Sequence, residues 1–174
     1  MASWLGMQAV HEVGHVAGAV LTGAAVERVV LHPLSLSRTD LGKNPSPLVV
    51  AWSGPVLGAL LPVALWIAIR ALGMPLAYLA RFFAGFCLVA NGVYIGMGVF
   101  DPIGDSSTIA RHGAASWPLA LFAVAATPAG LWLWHREGRH FGLGPRAEKV
   151  SGTAAALTTA ACVLLVALGC ATGR

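Results

Sequence analysis

The chain has 174 residues, of which 57% are apolar and 10% charged, with a mean hydropathy of +0.74, whereas ordinary water-soluble domains carry roughly 25% charged residues. So little charge cannot clothe a water-facing surface, and the composition points to a protein of the membrane. The net charge of +4 is spread over connecting segments without forming a basic helical face, which leaves no nucleic-acid footprint.

A spanning helix needs about 20 mostly apolar residues. The first such stretch runs from about Ser3 to Leu21, and Thr22-Gly23 ends it, because glycine serves the left-handed position after a helix. No Lys or Arg precedes Arg28, and His11, Glu12 and His15 interrupt the apolar run. This is unlike the basic region and short apolar core of a cleaved leader, so the first helix is expected to be retained, with no further span before it.

Val26 to Leu31 is Val-rich and gives a weak strand signal. It is either an ordinary interfacial strand or an edge that pairs with an extended polypeptide. Pro33 to Pro47 is a polar connection rich in turn residues.

Leu48 to Ile69 forms a second span interrupted by Gly54-Pro55 and Pro62, which membrane helices tolerate when neighbours satisfy the freed backbone groups. A third span runs from about Leu76 to Phe100, with Asn91 and several glycines in its second half. Asp101 to Ala115 is short and polar, and Asp105-Ser106-Ser107 is suited to cap a brief helix through Arg111.

Trp117 to Trp134 is a fourth span with a tryptophan anchor at each end. His135 to Lys149 is the most basic connection, suited to lipid headgroups. Val150 to Cys170 is a fifth span. Cys87, Cys162 and Cys170 lie in apolar runs as small hydrophobes.

The expected fold is therefore an all-α membrane protein, a multi-pass bundle of about five transmembrane helices with a small strand element after the first. One domain, 1–174, is expected, since no repeat or linker marks a second. The bilayer is the expected surrounding, the cell membrane in particular. Arg28, Arg38, Lys43, Arg111 and Arg174 on one side nearly balance Arg70, Arg81 and the basic residues of the last connection on the other, so charge does not choose an orientation.

The chemistry lies in His11-Glu12-Val13-Gly14-His15. On a helix this His-Glu-x-x-His pattern puts two imidazoles one turn apart on one face, in reach of a single metal ion, with Glu12 beside them as a base for water. Ionisable residues at membrane depth cost about 2.5–3.5 kcal/mol each on insertion scales, and a bound cation compensates for that. Catalytic zinc commonly takes three protein ligands and leaves a fourth position for water. Asp101 and Asp105 are the carboxylates that adjoin a span, and a chain unwound around Gly98 to Gly104 would bring either one to His15.

These residues resemble the site-2 protease family, the intramembrane zinc metalloproteases, over about residues 1–113, leaving 114–174 as accessory spans. In that family the histidine motif joins an Asp in a Pro-x-Leu-Asp-Gly segment, and Pro102-Ile103-Gly104-Asp105-Ser106 keeps the Pro-to-Asp spacing. The resemblance implies Zn2+ held by His11, His15 and Asp105, with Asp101 the alternative ligand and Glu12 the catalytic base. It also implies a membrane-protein or peptide substrate, and it favours the edge-pairing reading of Val26 to Leu31.

Ser106 replaces the family's Gly, and Gly58 replaces the Asn of its Gly-Pro-x-x-Asn segment, which Gly54-Pro55 begins. Asn91 is the nearest substitute for a further family Asn, a candidate oxyanion or substrate contact that is also suited to a plain interhelix hydrogen bond. Two other functions compete with proteolysis: a catalytically silent pseudoprotease that binds membrane proteins, and a bundle that conducts metal ions or protons.

Overall fold

The protein is described by a computed structural model for residues 1–32, 34 and 36–172. Pro33, which opens the first polar connection, and Arg174, which entered the charge balance, lie outside the described residues. In chain order the elements are α1 (Ala2–Thr22), β1 (Val26–Val30), β2 (Arg38–Leu41), α2 (Pro47–Ala71), α3 (Ala77–Met97), α4 (Gly104–Arg111), α5 (Trp117–Trp134) and α6 (Gly152–Thr172). A short 3-10 helix, Glu137–Phe141, precedes α6.

The fold is an all-helical bundle with a small antiparallel hairpin after the first helix. α2, α3, α5 and α6 are long and apolar enough to cross a membrane. α1 matches them in length, but Gln8, His11, Glu12 and His15 lower its hydropathy. All four are buried, because positions 8, 11, 12 and 15 fall on one helical stripe and α1 turns that stripe inward. Gly23, at φ 72°, closes α1, and Ala24 N–H donates to the Ala19 carbonyl at 2.8 Å.

α1 packs along α2, α2 along α3, and α3 most extensively along α5. Ala59, Ala84, Leu88, Ala126 and Leu133 meet where α2, α3 and α5 join; small side chains let the backbones approach, as membrane helix packing favours. Outside this seam Leu60, Leu65, Val124 and Leu164 are exposed, a surface suited to lipid.

α6 is apolar all round, and of its described residues only Ala154 and Gly169 are buried. Its far end is tied to the hairpin, where the Thr172 hydroxyl donates to the Leu31 carbonyl at 3.1 Å.

The connection from Pro33 to Pro47, read as turn-rich polar chain, contains a strand. β2 pairs with β1 in the register Arg28↔Asp40, Val29↔Thr39, Val30↔Arg38. A cross-strand ion pair, Arg28 Nη2 to Asp40 Oδ2 at 3.1 Å, braces it.

At the far end of the bundle Trp134, expected as an interfacial anchor, turns inward. It stacks on Phe82, and its indole N–H donates to the Phe82 carbonyl at 2.9 Å. Trp117, at the other end of α5, is exposed. Arg81, the one ionised side chain near the start of α3, pairs with Glu137 at 2.6 Å.

Candidate metal centre

The site is built where α1, α2, α3 and α4 converge. His15 lies against α2 at Gly54, where an added Cβ would collide with the imidazole ring. Its Nδ1–H donates to the Val50 carbonyl at 2.8 Å. His11 turns instead toward α3, and its Nδ1–H donates to Asn91 Oδ1 at 2.7 Å. The Asn91 amide cannot flip without loss, because its Nδ2 donates to the Cys87 carbonyl at 2.9 Å.

Asn91 is 1% exposed and fills the space beside Gly58, so α3 supplies an amide where α2 carries none. Both ends of that amide are engaged. The geometry corresponds to an interhelix hydrogen bond that positions His11.

Because a metal-bound imidazole depends on the partner at its other nitrogen, Asn91→Ala is expected to weaken metal binding by about 10–100-fold. Competition with a chelator would measure this, and unchanged affinity would exclude the positioning role.

Asp105 arrives from the segment that follows α3. The helix ends at Met97, Ile103 is extended (φ −126°, ψ 154°), and Gly104 at φ 55° begins α4. The Ser106 hydroxyl stitches this turn together, accepting from Ile103 N–H at 3.0 Å and donating to the Ile103 carbonyl at 2.8 Å. Tyr94 on α3 adds a third tie, its hydroxyl accepting from Asp105 N–H at 3.1 Å. Burial pushes the Asp105 carboxyl up, and the His11 and His15 imidazoles, which when protonated donate to it from Nε2, more than reverse this, bringing it to about 2. Asp101 is exposed and stands outside the cluster.

The three expected donors are brought together. His11 Nε2 lies 3.0 Å from His15 Nε2 and 3.0 Å from Asp105 Oδ2, and His15 Nε2 lies 3.2 Å from Asp105 Oδ1. Since the Val50 carbonyl and Asn91 Oδ1 can only accept, both rings carry their proton on Nδ1 when neutral. Each Nε2 then presents a lone pair. Two lone pairs and a carboxylate facing one another at 3 Å in a buried place repel unless positive charge lies between them.

The separations, in which the two imidazoles meet different oxygens of Asp105, are slightly shorter than those a bound metal sets. Ligand bonds of about 2.0–2.2 Å in a tetrahedral arrangement separate neighbouring ligands by roughly 3.3–3.6 Å, close to the observed edges. The residues present therefore fit a cation with two imidazole ligands and one carboxylate ligand, and the outward donation from each Nδ1 is the arrangement that orients metal-ligating histidines.

Glu12 is 2% exposed and holds none of the three corners. The hairpin grips its carboxylate: Ser37 Oγ–H donates to Oε1 and Thr39 Oγ–H to Oε2, each at 2.6 Å. Ser37 and Thr39 are two positions apart and so project from the same face of the chain. Each carboxylate oxygen keeps a further lone pair. Glu12, the histidines and Asp105 line a cavity of about 210 Å³ with mixed polar and apolar walls, ample for water.

Sequence reasoning missed Ser37, Thr39 and Tyr94. Tyr94 carried a signal, since it lies three residues after Asn91 and so shares its helical face. No family model, curated protein or solved structure matches this chain.

Proposed function

We propose that this chain is a zinc-dependent intramembrane endopeptidase of the site-2 protease type, a multi-pass protein of the cell membrane that hydrolyses peptide bonds of membrane-embedded polypeptides. The observation that carries the reading is the convergence of His11 Nε2, His15 Nε2 and an Asp105 oxygen, with the Glu12 carboxylate beside them in one water-sized cavity. A bound zinc ion would supply Lewis acidity, making water more acidic and polarising the scissile carbonyl.

The chain's own groups then do the rest. Glu12 takes a proton from the attacking water and passes it to the leaving amine nitrogen as the peptide C–N bond breaks. Ser37 and Thr39 fix the rotamer of that carboxylate, Asn91 and the Val50 carbonyl fix the two rings, and Tyr94 and Ser106 fix the turn that presents Asp105. The retention of Glu12 favours an enzyme over a silent binding module, because metal binding alone does not need it. A conducting bundle is less well supported: among the described residues of α3, the ionised Arg81 is already paired with Glu137.

The test is metal analysis of purified protein together with cleavage of a membrane-embedded test peptide. About one zinc per chain is expected, with cleavage abolished by a chelator and restored by zinc. Cleavage that survives complete removal of metal would overturn the proposal.

A further inference from the structure

A second cavity, of about 520 Å³, lies between α1 and α3 and is walled mainly by apolar side chains, among them Trp4, Met7, Phe86, Val89 and Val93. It exists because α1 and α3 approach each other much less than either approaches α2. It adjoins the cavity of the metal centre, for His11, Glu12, Ser37, Tyr94 and Gly104 line both.

Its wall also contains an anomaly. Gln8 is 4% exposed, and its amide Nε2, itself covered by the surrounding side chains, has no hydrogen-bond partner among the described residues. A buried donor without an acceptor is destabilising, and such groups are rare unless something absent completes them. Gln8 stands one helical turn before Glu12 on the same buried stripe of α1.

We propose that this cavity receives a bulky apolar side chain next to the bond addressed by Glu12, and that the Gln8 side chain turns its covered amide N–H toward a backbone carbonyl of the same extended polypeptide. The inference rests on the proteolytic reading and adds a specificity pocket to it. A hydrocarbon chain would fill the apolar volume and leave the amide unpaired. A helical peptide has its carbonyls bonded internally. An extended segment with a Leu, Phe or Trp side chain supplies both the apolar body and the free acceptor, and the adjoining cavity that Glu12 lines places its next peptide bond beside that carboxylate.

The test uses full-length protein carrying Glu12→Gln, which holds the peptide without cutting it, in lipid nanodiscs. The probe is a fluorescent apolar peptide of about 20 residues with a central Gly-Phe pair, compared with its Phe→Ala counterpart. The Phe peptide is expected to bind at least tenfold more tightly than the Ala peptide. Ala90→Trp, which fills the cavity from α3, and Gln8→Leu should each reduce Phe-peptide affinity at least tenfold with zinc content unchanged. Gln8→Leu should not lower Tm, since it removes an unpaired buried donor.

If Ala90→Trp does not fold, Gln8→Leu and the Phe-to-Ala comparison decide by themselves. Equal binding of the two peptides, wild-type affinity in Gln8→Leu, or a tightly held phospholipid that the peptide fails to displace would overturn the pocket. Cleavage by the parent protein without any Phe preference would overturn the pocket and leave proteolysis standing. Selective binding with no cleavage by the parent would do the reverse.

Discussion

Replacing Glu12 with Gln is expected to leave zinc bound and the bundle intact while cleavage of a membrane peptide falls by at least about 100-fold, the lower end of general-base contributions. The carboxylate stands at no corner of the donor triangle, so metal content should not follow activity. Glutamine has nearly the same volume. Its amide nitrogen would donate where the carboxylate accepted, and the Ser37 or Thr39 hydroxyl facing it can rotate from donor to acceptor. What the variant loses is the ability to take a proton from water. Undiminished cleavage would remove Glu12 from the mechanism; zinc lost together with activity would make it a structural or ligating group.

Loss of an imidazole should act on the metal itself. His11→Ala or His15→Ala leaves two of the three donors and an unfilled space in a closely packed helix seam. Zinc affinity is then expected to fall by more than the ~10–100-fold assigned to an outer hydrogen-bond partner such as Asn91, and cleavage to fall to background. Metal analysis after equilibration at limiting zinc would measure it. Full occupancy in both variants would show that the convergence of His11, His15 and Asp105 is a polar helix contact and no metal site.

The two substitutions separate functions that the triangle and its neighbour keep apart. Zinc retained in Glu12→Gln and lost in His11→Ala is the pattern expected of a metal-dependent hydrolase. Zinc retained in Glu12→Gln, with neither it nor the parent cleaving any membrane peptide, would move the balance to a silent binding module.

Much of this protein follows from residue order because a bilayer narrows the choices. Within hydrocarbon, backbone groups must be satisfied along the same segment, so apolar stretches of spanning length become helices, and α2, α5 and α6 run nearly where hydropathy places them. The one-turn spacing of His11 and His15 is likewise a local property: any helix through them puts both rings on one face. Asp105 was legible only through its distance from Pro102, since nothing local to Asp101 or Asp105 says which the turn will carry inward.

That choice belonged to tertiary structure, through Ser106 closing the turn on Ile103 and Tyr94 holding the Asp105 amide. The same holds for Asn91, whose role depends on the space beside Gly58 on another helix. It holds for Ser37 and Thr39 as well, which sit in a segment with no strong strand pattern until β1 offers it an edge. Gln8 is the last case. Its place on the polar stripe of α1 is readable from spacing, but that its Nε2 meets no acceptor among the described residues appears only once α3 stands away from it. Hydropathy and helical periodicity are summed over neighbours along the chain, whereas hydrogen-bond satisfaction and ligand geometry depend on side chains brought together from separate elements, and packing alone sets which ones meet.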